Sequence, residues 1–382
     1  MIDNYIVFLY LNGLHHLYHT AETVIEFAKL HSKYRTVCVT CCREYSEIMQ
    51  GLIDANSVTN CEIVEIPLPF RFKYLNFKKK SYPSPCNTTS RVAKLLWGAK
   101  AIVTTSHATV KLCQRFKIEC PKIIYQYHGC GDGKYGFSKT MGTFDLLLLP
   151  GIYHQQRLIA ENVTTIDKTR VVGWPKLDYK IDVNNLKKEL FGEDKPIVLY
   201  TPHWNPKISS YQQWGEAVLE YFSRQTAYNL IFAPHIQIKH WSFKFRYKTN
   251  IGSGDKRRIV VDFGSRRSVD SSYVRIADLF LGDVSSLIYE WIAIRPRPCV
   301  FLNAQGIDWK GNVNYRHWDY GPVVEDISQL GDKLQKAIKS GDYLDIQRDR
   351  ITSYIDKSNE PASRRAAKAI YDYVCNNHTQ KS

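Results

Sequence analysis

The chain has 382 residues, with 52 Lys and Arg against 37 Asp and Glu, a formal charge of +15. Hydrophobic residues at 44% and aromatics at 13% exclude a largely disordered chain, and a mean hydropathy of −0.34 with only short apolar runs excludes a multi-span membrane protein. The positive excess calls for an anionic partner, and nucleic acid, a phospholipid surface and a phosphorylated substrate all fit.

Roughly 150 residues per domain implies two or three domains. The chain opens on Met1–Tyr10, which lacks a basic n-region and a small-residue cleavage site, so a secretory signal is not expected. The apolar run from Ile6 to Leu11 predicts a first buried strand, and residues 18–31 a helix. Strand signals recur at 36–40, 62–66, 101–104, 123–127 and 144–149. A second series is expected to open near Arg170 and run through 197–200, 230–233, 259–262, 279–281 and 299–302. The basic, Ala-rich segment 360–376 predicts a terminal helix. Strands separated by helical segments imply parallel, doubly wound α/β sheets. The expected organisation is an N-terminal Rossmann-like domain over 1–172 and a C-terminal one over 173–359. A helix over 360–382 would pack back on the first domain.

Ten cysteines in this length are too few for a disulfide scaffold. Free thiols in a reducing compartment are expected. Cys38 and Cys41 make one C-x-x-C spacing with no second pair. Structural zinc needs four ligands, so these read as buried strand thiols.

Two α/β domains bind ligand at the carboxyl ends of their strands. There the sequence concentrates histidine. His128 follows 123–127 and leads into Gly129-Cys130-Gly131-Asp132-Gly133. Thr201-Pro202-His203-Trp204 follows 197–200, and Pro234-His235 follows 230–233. A histidine at a strand end is placed to take a proton near neutral pH, and glycines admit a ligand close to the backbone. No P-loop spacing is present. The separate strands and the lack of neighbouring carboxylates argue against a metal. After 279–281 comes Gly282-Asp283-Val284-Ser285-Ser286 and then an apolar helix pattern. Free N–H groups and hydroxyls at a helix start hold phosphate, while Asp283 or Ser285 could equally be a plain N-cap.

Taken in order, His128-Gly129, Gly173-Trp174-Pro175-Lys176-Leu177-Asp178, Thr201-Pro202, Pro234-His235, Asp283-Val284-Ser285-Ser286 and Asp319-Tyr320-Gly321-Pro322-Val323 resemble the signature blocks of the CDP-glycerol glycerophosphotransferase family of teichoic-acid and capsule enzymes. The resemblance implies a GT-B fold, in which two Rossmann-like doubly wound domains face each other across a cleft. It implies His128 as general base and His235 on the donor phosphate. Gly129, Thr201, His203, Asp283, Ser285 and Ser286 would line the donor site. No cofactor and no metal are expected. Tyr127 and Val284 depart from the family's Trp and Tyr, so glycerol phosphate, ribitol phosphate and a sugar stay open as the transferred group.

Two clusters complete the reading. Residues 70–82 interleave Arg71, Lys73, Lys78, Lys79 and Lys80 with five aromatics, a pattern suited to an anionic membrane surface or lipid-linked acceptor, or to stacking on single-stranded nucleic acid. His15, His16 and His19 follow the first strand, and His15 and His16 are candidate acceptor contacts. The expected protein is a cytoplasmic transferase, peripheral on the inner face of the membrane. It would move a polyol phosphate from a CDP-linked donor to a lipid-linked or glycan acceptor, with no nucleic-acid partner. A nucleotide-sugar glycosyltransferase and a non-enzymatic membrane- or nucleic-acid-binding protein are the alternatives.

Overall fold

The computed structural model describes residues 4–66, 90–118, 121–235, 238 and 258–379. The basic-aromatic segment with Lys78, Lys79 and Lys80 lies outside them.

The chain divides into two compact units. The first comprises Met1–Cys130, Lys134–Lys180 and Thr352–Ser382; the second comprises Gly131–Gly133 and Ile181–Ile351. In chain order the first unit opens with β1 (Tyr5–Tyr10), α1 (His15–Leu30), β2 (Arg35–Thr40), α2 (Arg43–Ala55) and β3 (Cys61–Glu65). It continues with α3 (Ser90–Trp97), β4 (Ala101–Thr104), α4 (Ala108–Arg115), β5 (Lys122–Gln126), β6 (Leu146–Leu149), α5 (Ile152–Ala160) and β7 (Thr169–Val171). The described strands form one sheet in the order β3-β2-β1-β4-β5-β6-β7. All its pairings are parallel, with Ile6 held between Thr36 and Ala101.

The second unit holds α6 (Leu186–Leu190), β8 (Ile197–Thr201), α7 (Tyr211–Arg224), β9 (Asn229–Phe232), β10 (Ile259–Val261) and α8 (Ser272–Ile276). Then come β11 (Leu279–Gly282), α9 (Leu287–Ile294), β12 (Cys299–Leu302), β13 (Val323–Val324) and α10 (Leu330–Lys339). Its sheet runs β10-β9-β8-β11-β12-β13, again parallel throughout. The chain then passes through α11 (Asp342–Tyr354) to α12 (Ala362–Thr379). This last helix packs on α1 in the first unit: Tyr371 stacks on His31 with centroids 4.0 Å apart, and the Asp178 carboxylate accepts from the Ser363 N–H at 2.7 Å.

The strands are continuous apolar runs because both faces are covered by helices. In β6, Leu146, Leu147, Leu148 and Leu149 are all buried, and so are Val198, Leu199 and Tyr200 in β8. Cys38 is buried in β2 in this way, its sulfur 3.7 Å from that of Cys61, and Cys41 is buried just past the strand end.

One strand belongs elsewhere than the sequence pattern predicts. The signal near Arg170 closes the first sheet: Thr169, Arg170 and Val171 pair with Leu147, Leu148 and Leu149. Pairing with β6 gives the four-leucine strand a neighbour on its open edge, which a run of local hydrophobicity cannot reveal.

Candidate active site

In a doubly wound sheet, ligands bind beyond the carboxyl ends of the strands where the strand order reverses. In the first unit that point lies between β1 and β4, and in the second between β8 and β11. The candidate residues gather at both points.

In the first unit the chain leaving β1 enters α1 at His15. His16 Nδ1 meets Thr105 Oγ1, just past β4, at 2.7 Å. His128, just past β5, has its ring centroid 4.7 Å from that of His16 and 6.1 Å from that of His19. Its Nδ1 lies 2.9 Å from the Tyr125 hydroxyl. His15 stands beside His16 with centroids at 4.2 Å. Gly129, next to His128, is half-buried. Burial, reinforced by His107, pushes the His128 imidazole down to about 4, against a hydrogen bond to the Thr105 backbone that favours the charged ring. His16 and His19 are held well below their ordinary value by burial first, and then by neighbouring imidazoles or, for His19, by Lys176. His16, His19 and His128 are therefore neutral imidazoles at pH 7. A neutral imidazole keeps the lone pair that a general base needs.

His19 is further constrained. Its Nδ1 accepts from the Trp174 indole N–H at 3.1 Å, and its backbone carbonyl accepts from the Gln126 amide at 2.6 Å. A neutral ring that accepts at Nδ1 carries its proton on Nε2, so His19 presents a donor.

In the second unit, His203 and His235 come together with ring centroids at 5.9 Å, and Trp204 lies beside both. Burial pushes His203 down to about 4 and His235 to about 3, the latter helped by His203. His203 Nδ1 accepts from the Asn205 N–H at 3.0 Å, which makes its Nε2 a donor. The strand-end turn also carries Thr201, buried with no partner for its hydroxyl among the described residues.

Asp283 braces this site. It is buried, and its Oδ2 accepts from the backbone N–H of His203 at 2.9 Å and of Ser210 at 3.0 Å. Burial raises its carboxyl to about 7. The side chain thus ties the end of β11 to the turn after β8. Asp283→Ala leaves two buried donors without an acceptor, a loss of about 2 kcal/mol. Asp283→Asn, which keeps one acceptor oxygen, should recover most of it. Urea denaturation at pH 6 measures both; equal midpoints for Asp283→Ala and wild type would remove the brace.

At the start of α9, Ser285 Oγ accepts from the Leu287 N–H at 3.2 Å, so it is part of the helix cap. Ser286 is exposed at the N-cap. The Gly131 backbone sits close by: a Cβ there would lie 3.3 Å from Ser286 Cβ. Next in chain, buried Asp132 accepts from the Tyr289 hydroxyl, which pins the glycine-rich turn.

Sequence reasoning missed Tyr125, His107, Trp174 and Asp132 as partners of the site. His107 was findable, since it follows β4 as the other histidines follow their strands. A separate cavity of about 380 Å³ lies at β7 and α12, lined by Arg170, Arg365, Lys368 and Asp372 among others. Arg365 pairs there with Asp356 and Lys368 with Glu360. Among the described residues, no group of three or more His, Cys, Asp or Glu has the geometry to hold a metal ion. No described helix is long and apolar enough to cross a membrane.

Two Rossmann-like units, each with imidazoles and hydroxyls near its switch point, define a GT-B type of fold. Solved structures with this fold include S. aureus MnaA with UDP, at 13% identity and a TM-score of 0.61, covering 98% of this chain and 97% of that one. UDP-GlcNAc 2-epimerase from Neisseria meningitidis bound to UDP-GlcNAc is similar at 12% identity and 0.58, covering 97% and 100%. A glycosyltransferase from Rickettsia africae ESF-5 is similar at 14% and 0.51, covering 98% and 100%. No curated protein sequence matches the chain. The family model of CDP-glycerol:poly(glycerophosphate) glycerophosphotransferase matches residues 91–376. The chain belongs to this family of transferases.

Proposed function

We propose that the protein transfers a polyol phosphate, such as glycerol phosphate, from a CDP-linked donor to a hydroxyl of a lipid-linked or glycan acceptor in surface-polymer synthesis. The observation that carries this reading is the half-buried, neutral His128, hydrogen-bonded to Tyr125 beside the first switch point. In the tautomer that base catalysis requires, Nδ1–H donates to Tyr125 and Nε2 receives the acceptor proton. The acceptor oxygen then forms a bond to the polyol-bearing phosphorus. The bond from that phosphorus to the bridging oxygen breaks, and CMP leaves with the electron pair. His235 and the His203 N–H, with Ser285, Ser286 and the α9 N-terminus, would stabilise the charge that develops on the phosphates. Thr201 and Gly129 would shape the approach, and Asp283 would hold His203 in place.

On this reading the first unit receives the acceptor, with His15 and His16 among its contacts, and the second holds the nucleotide. The charge of +15 and the 70–82 segment, with Lys78, Lys79 and Lys80, would draw the enzyme to an anionic membrane face. Incubation with CDP-glycerol, CDP-ribitol and nucleotide sugars, read by mass spectrometry of the acceptor, tests it. A polyol-phosphate increment and stabilisation by CDP over UDP and GDP are expected. A hexose increment would replace this reading with that of a glycosyltransferase.

A further inference from the structure

We infer that Tyr135 is a stacking platform that selects a sugar ring, rather than an open-chain polyol phosphate, at the acceptor end of the site. The inference rests on the reading of His128 as the base beside the acceptor. Tyr135 is 58% exposed, yet its position is fixed. Its ring lies flat on His107, with centroids 4.1 Å apart and an interplanar angle of 5°, and stands edge-on to His128 at 5.9 Å.

The turn that carries it is anchored on both sides. The Tyr127 hydroxyl donates to the Gly136 carbonyl. Phe137 is buried, stacked on His154 at 5.7 Å, with the Arg157 guanidinium 3.8 Å from its ring centroid. The neighbouring Phe137 thus satisfies the fold, while Tyr135 is held out toward solvent. A large aromatic face kept exposed on a rigid turn costs solvation and contributes little to the core. Ligand sites use such faces together with a few convergent polar groups.

The groups around Tyr135 fit a neutral ligand. His107 and His128 are both pushed down to about 4 by burial, so they are uncharged donors and acceptors at pH 7. The His16–Thr105 pair adds two more. A pyranose presents a face of C–H groups that covers an aromatic ring, and hydroxyls at its rim that reach imidazoles and threonine. An open glycerol phosphate chain has no such face and carries charge that these neutral rings do not offset.

Binding of octyl glucopyranoside and of a glycerol 1-phosphate octyl ester, followed by saturation-transfer NMR and calorimetry, tests the platform without any donor. The glucoside is expected to bind more tightly than the ester. Tyr135→Ala should weaken it at least tenfold, and Tyr135→Trp should retain it, with the far-UV spectra of both variants unchanged. Equal glucoside affinity in Tyr135→Ala, or tighter binding of the ester to wild type, would overturn the inference. Loss of CDP-induced stabilisation in Tyr135→Ala would move the platform to the donor base and overturn it too. If the glucoside result holds while no CDP-linked donor is consumed, the donor reading falls and the platform stands.

Discussion

His128→Ala is expected to lower the transfer rate by about a thousandfold, the middle of the range that general base catalysis supplies. CDP should still raise the melting temperature of the variant, because His203, His235, Ser285 and Ser286, proposed for the donor phosphates, lie in the second unit. The size of the effect follows from the state of the ring. Burial holds His128 neutral, so at pH 7 nearly every molecule carries an imidazole able to accept the proton. Removing the ring removes that acceptor entirely, and water must take its place. A structural role would give a different pattern: lower melting temperature, weaker CDP binding and a modest loss of rate. Steady-state kinetics and thermal shift on the same preparation separate the two. Wild-type turnover in His128→Ala would end the assignment.

Much of this site was legible in the sequence because strand ends are easy to see. A run such as Ile197–Thr201 stops where polarity begins, and in an α/β fold the residue after that stop lies on the ligand edge. This places His128, His203 and His235 without any knowledge of strand order. What stayed hidden depended on non-local pairing. Trp174 sets the tautomer of His19 across 155 residues. Asp283 braces the His203 turn across 80. No local pattern connects such positions; only the two reversals of strand order do. The sheet membership of β7 and the two-residue β13 escaped for the same reason, since neither has enough length to show a period of its own.

These partly or fully buried histidines also set the acid limit of the protein, and the expected result is cooperative unfolding between about pH 6.5 and pH 4. His107, His128, His203 and His317 are pushed down to about 4, and His235 to about 3, each chiefly by burial. In the unfolded chain each would titrate near 6.5. The unfolded state therefore binds more protons than the folded one across this window, so stability falls as pH falls. An imidazole held neutral to pH 4 costs about 3 kcal/mol by the time its unfolded counterpart is fully charged. Discounting those that solvent reaches, two or three such groups already match a typical total stability of about 5–15 kcal/mol.

Asp283 acts with the opposite sign. Its carboxyl is raised to about 7, so it favours the folded state at low pH and loses that contribution as pH rises from about 4 to 7. One carboxyl offsets about one histidine, and the histidines win. Transfer activity and far-UV ellipticity should consequently disappear together on acidification. Activity lost at a pH where the ellipticity is intact would mean that titration of a catalytic group, rather than unfolding, sets the limb. Full stability at pH 4.5 would show that the imidazoles are reached by solvent in the folded chain.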